Sequence, residues 1–192
     1  MAEYELLLTG IGGQGIQLAA QVLARAATLE GRSVMYLGLY GGMMRGGNTD
    51  STVVVGDGPI EAPPTIERTW SAIVMHHEHW QPTQRRLVPG SVLLVNSTVF
   101  AEPLDRDALV VVDVPASATA AGLGNVMAAS MVMAGAYAAA TELVGLAALE
   151  EAVGEALPSY RQQHRELNVR ALRAGFELAP RGVAPAWEGA VR

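Results

Sequence analysis

At 192 residues the chain suits one domain with a full hydrophobic core, and 50% apolar against 17% charged residues suggests that partners cover part of its surface. A net charge of −6 without a basic run argues against nucleic acid as a ligand. The absence of cysteine removes disulfides, a self-contained iron–sulfur cluster, thiolate zinc and a cysteine nucleophile together, so any redox centre belongs to another chain.

The N-terminus has no basic segment followed by an apolar core, so no secretory signal is expected and the location is read as cytoplasmic. Residues 5–9 form a short apolar strand that runs into Gly10-Ile11-Gly12-Gly13-Gln14-Gly15, and an alanine-rich helix over 15–29 follows at once. This is the G-x-G-x-x-G spacing in a strand–turn–helix setting. Glycine permits positive φ and close approach of a ligand or strand, and the helix N-terminus offers free N–H groups to an anion. A Rossmann-like phosphate or anion cradle is the functional reading; a tight turn with close helix–strand packing is the structural one. A dinucleotide site would carry an acid at the end of the second strand. That strand, 33–37, runs out into Gly38-Leu39-Tyr40-Gly41-Gly42, and Glu30 belongs to the close of the first helix. NAD is therefore the weakest of the ligand readings.

The next feature follows directly. Tyr40-Gly41-Gly42-Met43-Met44-Arg45-Gly46-Gly47-Asn48-Thr49-Asp50 surrounds one arginine and two methionines with glycines. Ligands of open α/β sheets bind beyond the carboxyl ends of the strands, so the two glycine-rich loops are expected to share an edge. Arg45 suits bidentate contact with phosphate or carboxylate, and Met43 and Met44 supply adaptable apolar contact. The plain alternative is a loop whose arginine pairs with a local acid such as Asp50.

Further strands are expected over 52–55, 71–76, 92–95 and 109–114, with helices over 80–88, 123–140, 147–156 and 159–177. The alternation predicts an α/β fold, a Rossmann-like three-layer sandwich with a mainly parallel sheet. Residues 1–178 read as one domain and 179–192 as a Pro/Gly/Ala-rich tail that leaves it. His76-His77-Glu78-His79 has metal-binding residue types but poor spacing, since neighbouring strand residues face opposite ways, and reads as a polar strand end. Trp70 and Trp80 flank it as core or interface anchors. Residues 114–141 carry no charge, yet Pro115 and a small-residue composition without aromatic or basic anchors point to a buried helix, not a membrane span. Arg161, His164, Arg165, Arg170 and Arg173 give the last helix a basic side, for water or an acidic partner. No Ser-His-Asp grouping or paired carboxylates suited to hydrolysis are present, so no catalytic residue is assigned.

Several of these segments, taken in order, carry a resemblance. They are Gly10 to Ile16, Tyr40-Gly41 with Arg45-Gly46-Gly47, Asp57-Gly58-Pro59-Ile60, Gly90-Ser91-Val92, Gly124-Asn125, Met131 to Gly135, and Asn168. Over roughly residues 3–177 the chain resembles the gamma subunit, or gamma domain, of the 2-oxoacid:ferredoxin oxidoreductases. It departs from the pattern at Met43, where glutamate is frequent, and at Ser130, where asparagine is frequent. The resemblance implies a heteromeric enzyme that oxidatively decarboxylates a 2-oxoacid to acyl-CoA. Thiamine diphosphate would sit between alpha and beta components, and iron–sulfur clusters in a beta or ferredoxin-like component would pass electrons to ferredoxin. This chain would help form the coenzyme A side of the site, through Gly10, Gly12, Gly13, Gln14 and Gly15 and through Tyr40, Gly41, Arg45, Gly46 and Gly47. The alternative is a free-standing nucleotide-binding or regulatory module.

Overall fold

The computed structural model describes residues 1–40, 47–61, 66–157 and 159–187. Six strands form one sheet: β1 (Glu3–Ile11), β2 (Ser33–Tyr40), β3 (Asn48–Gly56), β4 (Thr69–Val74), β5 (Leu87–Asn96) and β6 (Val110–Val114). Their order is β2-β3-β1-β4-β5-β6. The pairs β1–β4, β4–β5 and β5–β6 are parallel, and β3 alone runs the other way, antiparallel to both β1 and β2. The expected α/β sandwich with a mainly parallel sheet is thus present. The reversed β3 matters for function, because β2 ends and β3 begins at the same edge as the carboxyl end of β1.

Alternate residues of each strand divide the apolar surface in two. Leu6, Leu8, Val53, Ile73, Leu94 and Val112 point into the larger core, which they share with helices α1 (Ile16–Leu29), α3 (Ala116–Gly122), α4 (Ala129–Thr141), α5 (Leu146–Ala156) and α6 (Arg165–Leu178). Leu7, Ala72, Val74, Leu93 and Val95 face the opposite side, under Trp80, Phe100 and the short helix α2 (Gln81–Gln84). The sheet is therefore covered on both faces, as its nearly unbroken apolar strands require.

Helix α4 explains the uncharged stretch read from the sequence: every one of its residues is buried. Its small residues let α6 come close. A Cβ on Gly135 would overlap the Leu172 carbonyl oxygen, and one on Gly175 would overlap that of Val132. Tyr137 is held in this interior by a 2.8 Å hydrogen bond with the Ser71 hydroxyl, and burial raises its phenol well above the ordinary value. Among the described residues no helix is long and apolar enough to cross a membrane.

Four expectations are corrected. The helix expected over 80–88 stops at Gln84, because Pro82 suits a first turn whereas Leu87 and Val88 already belong to β5. The helix expected from 123 is two: α3 ends before Gly124, whose φ of +101° breaks the run, and α4 resumes after a 3-10 turn at Val126–Ala128. The last helix likewise begins at Arg165, behind a 3-10 segment over Ser159–His164. Finally, residues 179–187 of the expected tail do not leave the globule. The N–H groups of Gly182, Ala184 and Ala186 donate to the carbonyls of Ala139, Ala140 and Thr141 at 2.9, 3.2 and 2.7 Å, closing the last turn of α4. Trp187 is pinned by its Nε1 donating to the Leu143 carbonyl at 3.0 Å and by the Arg32 guanidinium 3.7 Å above its ring.

Candidate functional site

The glycine turn joins β1 to α1 at the carboxyl edge of the sheet. Gly10 closes β1 where space is short: a Cβ would lie 2.6 Å from Gln14 Oε1 and 2.8 Å from Ile16 Cδ1. Gly13 and Gly15 adopt φ of +100° and +79°, and Gly15 caps α1 in the left-handed conformation. A Cβ on Gly15 would meet the Ser130 hydroxyl at 2.5 Å, so the small side chain that departs from the family pattern sits directly against the turn.

Hydrogen bonds separate the groups that build the turn from those that face outward. Gln14 turns inward: its Oε1 accepts the Ile11 N–H at 2.9 Å and its Nε2 points to the Met75 carbonyl at 3.5 Å. The Gly12 N–H donates to the Gly47 carbonyl at 2.8 Å. Gln14 and Gly12 are therefore parts of the frame. Gly13, Gly15 and the first turn of α1 face a cavity, and helix geometry leaves that turn's N–H groups without intrahelical partners.

The Gly12–Gly47 bond joins the described end of the second glycine-rich segment to the first turn. Gly10 pairs with Thr49 across β1–β3, and Tyr40 pairs with Thr49 across β2–β3. Gly41, Arg45 and Gly46, with Gly42, Met43 and Met44, lie outside the described residues, as does the side chain of Tyr40. Asp50, the candidate acid for Arg45, has its carboxylate engaged. Oδ1 accepts the Thr9 hydroxyl at 2.7 Å and Oδ2 accepts the Asn48 amide at 2.8 Å.

The cavity beside the turn has a volume of about 610 Å³, within the range of small-molecule sites. Ile11, Ile16, Leu18, Met127 and Leu157 give it apolar walls, and the carboxyl end of α5 and the start of α6 close its far side. No lysine or arginine lines it among the described residues. Asn168 faces it from α6, 8% exposed and without a hydrogen-bond partner among the described residues. The enclosed side-chain atoms left without a partner among the described residues are Asn48 Oδ1 and Ser51 Oγ; the Asn168 amide is not sealed off in that way and stays open to what fills the cavity. The resemblance points to Asn168 and Asn125, but the contribution of His164 has no signal in spacing, because the segment before α6 reaches this edge only through tertiary packing.

The histidine run lies at the same edge, after β4. His76 and His77 stack with ring centroids 4.5 Å apart, the Glu78 N–H donates to His76 Nδ1 at 3.1 Å, and His77 Nδ1 lies 3.0 Å from the Val99 carbonyl oxygen. Partial burial and then the neighbouring His77 lower the His76 pKa from its ordinary value of 6.5. Among the described residues no group of three or more His, Cys, Asp or Glu side chains could hold a metal ion.

The sequence profile of the pyruvate ferredoxin/flavodoxin oxidoreductase family matches residues 5–178, nearly the whole chain. The chain belongs to this family. Within it, the chain is similar to the 2-oxoglutarate synthase subunit KorC of Methanothermobacter thermautotrophicus, 32% identical over 93% of this chain and 96% of that one. Its fold matches the gamma subunit of the keto/oxoacid ferredoxin oxidoreductase of Geobacter sulfurreducens, with a TM-score of 0.79 at 30% identity, covering 93% of this chain and 97% of the other. A third likeness, at 17% identity and a TM-score of 0.82, is one of fold alone: it spans 98% of this chain but 34% of a chain of the 2-oxoglutarate:ferredoxin oxidoreductase of Magnetococcus marinus. The chain is thus a gamma-type subunit of a 2-oxoacid:ferredoxin oxidoreductase, an enzyme component acting on oxo groups as part of a complex.

Proposed function

We propose that this gamma subunit helps form the coenzyme A side of a heteromeric, cytoplasmic enzyme that oxidatively decarboxylates a 2-oxoacid to its acyl-CoA. The observation that carries the reading is the Gly12–Gly47 bond, which ties the described end of the second glycine-rich segment to the turn whose Gly13 and Gly15 line a cavity. The cavity's apolar walls, the amide of Asn168 facing it and the free N–H groups of α1 suit an uncharged, amide-bearing chain such as the pantetheine arm. Among the described residues its lining offers no lysine or arginine to a phosphate, and Arg45, six residues after the end of β2's apolar run at Leu39, is the cation that the adjoining segment brings in sequence.

Alpha and beta subunits hold thiamine diphosphate in this reading, and that cofactor supplies the decarboxylation chemistry. Electrons leave through iron–sulfur clusters of a ferredoxin-like component to ferredoxin, since this chain has no cysteine to bind one. The gamma chain binds and orients the thiol donor, which raises rate by removing the entropy of a free encounter. Arg45→Ala is expected to raise the coenzyme A KM about tenfold to a hundredfold, the worth of a charge-assisted contact, while cluster reduction by the 2-oxoacid alone stays near wild type. Unchanged coenzyme A kinetics would remove Arg45 from the site.

A further inference from the structure

Apart from His164, exposed just before α6, every described side chain that lines the cavity is uncharged. Two buried side chains beside the glycine turn keep hydrogen-bonding groups in reserve. Asn168, on α6, is 8% exposed, lines the cavity and has no hydrogen-bond partner among the described residues. Ser130, the second residue of α4, is 2% exposed, and its hydroxyl likewise makes no hydrogen bond among the described residues. That hydroxyl stands 2.5 Å from the place a Cβ on Gly15 would take, and Gly15, left-handed at the start of α1, lines the cavity. Its oxygen is not one of the sealed, unpaired atoms, which are Asn48 Oδ1 and Ser51 Oγ. It opens on the room that Gly15 leaves by having no side chain.

The kinds of group decide what they can bind. A hydroxyl and a primary amide both donate and accept, whereas the first-turn N–H groups of α1 only donate. An ionised phosphate only accepts. It would set its charge against the Asn168 carbonyl oxygen and find no lysine or arginine in the lining among the described residues. A secondary amide presents one N–H and one C=O, and so satisfies this mixed set. The pantetheine arm of coenzyme A carries such amides on an otherwise apolar chain, which the walls of Ile16, Leu18, Met127 and Leu157 suit.

We propose that Ser130 and Asn168 recognise the amides of the pantetheine arm, so that this subunit selects its thiol donor by the arm and not by the nucleotide. The inference rests on the reading that the cavity receives coenzyme A, and adds a substrate to it: free pantetheine serves the assembled enzyme as a thiol donor. The reaction balances as it does with coenzyme A. The donor sulfur forms the C–S bond of the thioester and loses its proton, while the bond from the acyl carbon to the carboxylate breaks and releases carbon dioxide. Two electrons leave through the partner's iron–sulfur clusters to the ferredoxin acceptor.

Ser130→Ala removes the hydroxyl and keeps the bulk, and Asn168→Leu removes the amide at similar volume. Ala156→Trp, on the lining at the end of α5, fills the cavity instead. All three are to be made in the assembled enzyme, and thioester formation from the 2-oxoacid followed with coenzyme A and with free pantetheine. Pantetheine is expected to be turned over by the wild type. Ser130→Ala and Asn168→Leu are each expected to lower kcat/KM about threefold to tenfold, the worth of one net hydrogen bond, through KM at near-constant kcat. The factor is expected to be the same for both donors, and Ala156→Trp to cost both donors more than either. No turnover of pantetheine, or a loss confined to coenzyme A, overturns the arm as the part recognised. Wild-type kinetics in Ser130→Ala and Asn168→Leu, beside a damaged Ala156→Trp, overturn the two side chains as its readers and leave coenzyme A in the cavity. Wild-type kinetics in all three overturn the coenzyme A reading of the cavity itself.

Discussion

Single residues carry most of what is specific about this edge. Asn168 gives an unusual test, because stability and function should separate there. The Asn168 amide opens on the cavity and has no hydrogen-bond partner among the described residues, so Asn168→Leu is expected to change the stability of the enzyme in thermal unfolding by less than about 1 kcal/mol. Its coenzyme A KM is expected to rise several-fold. A drop of about 2 kcal/mol or more would mean that the amide has a structural partner in the assembly. His76 offers a pH-dependent reading. Its pKa is lowered in the folded chain, so between that value and 6.5 the unfolded state binds more protons, and the stability it influences falls as pH drops through this window. NMR titration should give a His76 midpoint below 6.5 that moves up when His77 is replaced by Ala; a midpoint at or above 6.5 would contradict the burial account. The glycines of the turn were legible from the sequence because backbone geometry restricts residue choice there. Gln14 was not: its residue type fits a ligand donor or a brace equally, and only the bond to the Ile11 N–H distinguishes them.

Among the elements, the strands were readable and the helices less so. All six strands coincide with short apolar runs, since covering on both faces leaves a continuous apolar signal. Strand order was hidden, because residues 48–56 look the same whether they run parallel or antiparallel to their neighbours. The helical boundaries after residue 114 were blurred by uniform Ala, Gly and Ser, which carry no amphipathic period, so only the positive φ of Gly124 reveals the break. The α4–α6 crossing has the sharpest structural consequence. Gly135→Ala pushes a methyl into the Leu172 carbonyl, and with backbone on both sides the helices must separate. The expected loss is about 1–3 kcal/mol in thermal unfolding, with coenzyme A KM little changed, since the crossing lies outside the glycine turn. A variant as stable as wild type would show that the two helices yield more readily than backbone packing suggests.

The molecule as a whole is organised around one edge of its sheet. The start of β3 brings Gly47 beside the glycine turn, α5 and α6 wall off a cavity next to that turn, and residues 182–186 close the far end of α4. Apolar Val126 and Met127 are 52% and 58% exposed on the turn before α4, and Met127 lines the cavity, as suits a surface that meets another chain. Which 2-oxoacid is used has no signature here, because the proposed role is to hold the thiol donor and not the oxoacid. The most direct test is mild, anaerobic affinity purification of the tagged chain from its own host, followed by mass spectrometry and a dye-reduction assay. The account predicts recovery of a thiamine-diphosphate-binding chain and an iron–sulfur chain, with 2-oxoacid-dependent reduction whose turnover requires coenzyme A. Recovery of this chain alone, or of a complex indifferent to coenzyme A, would contradict it.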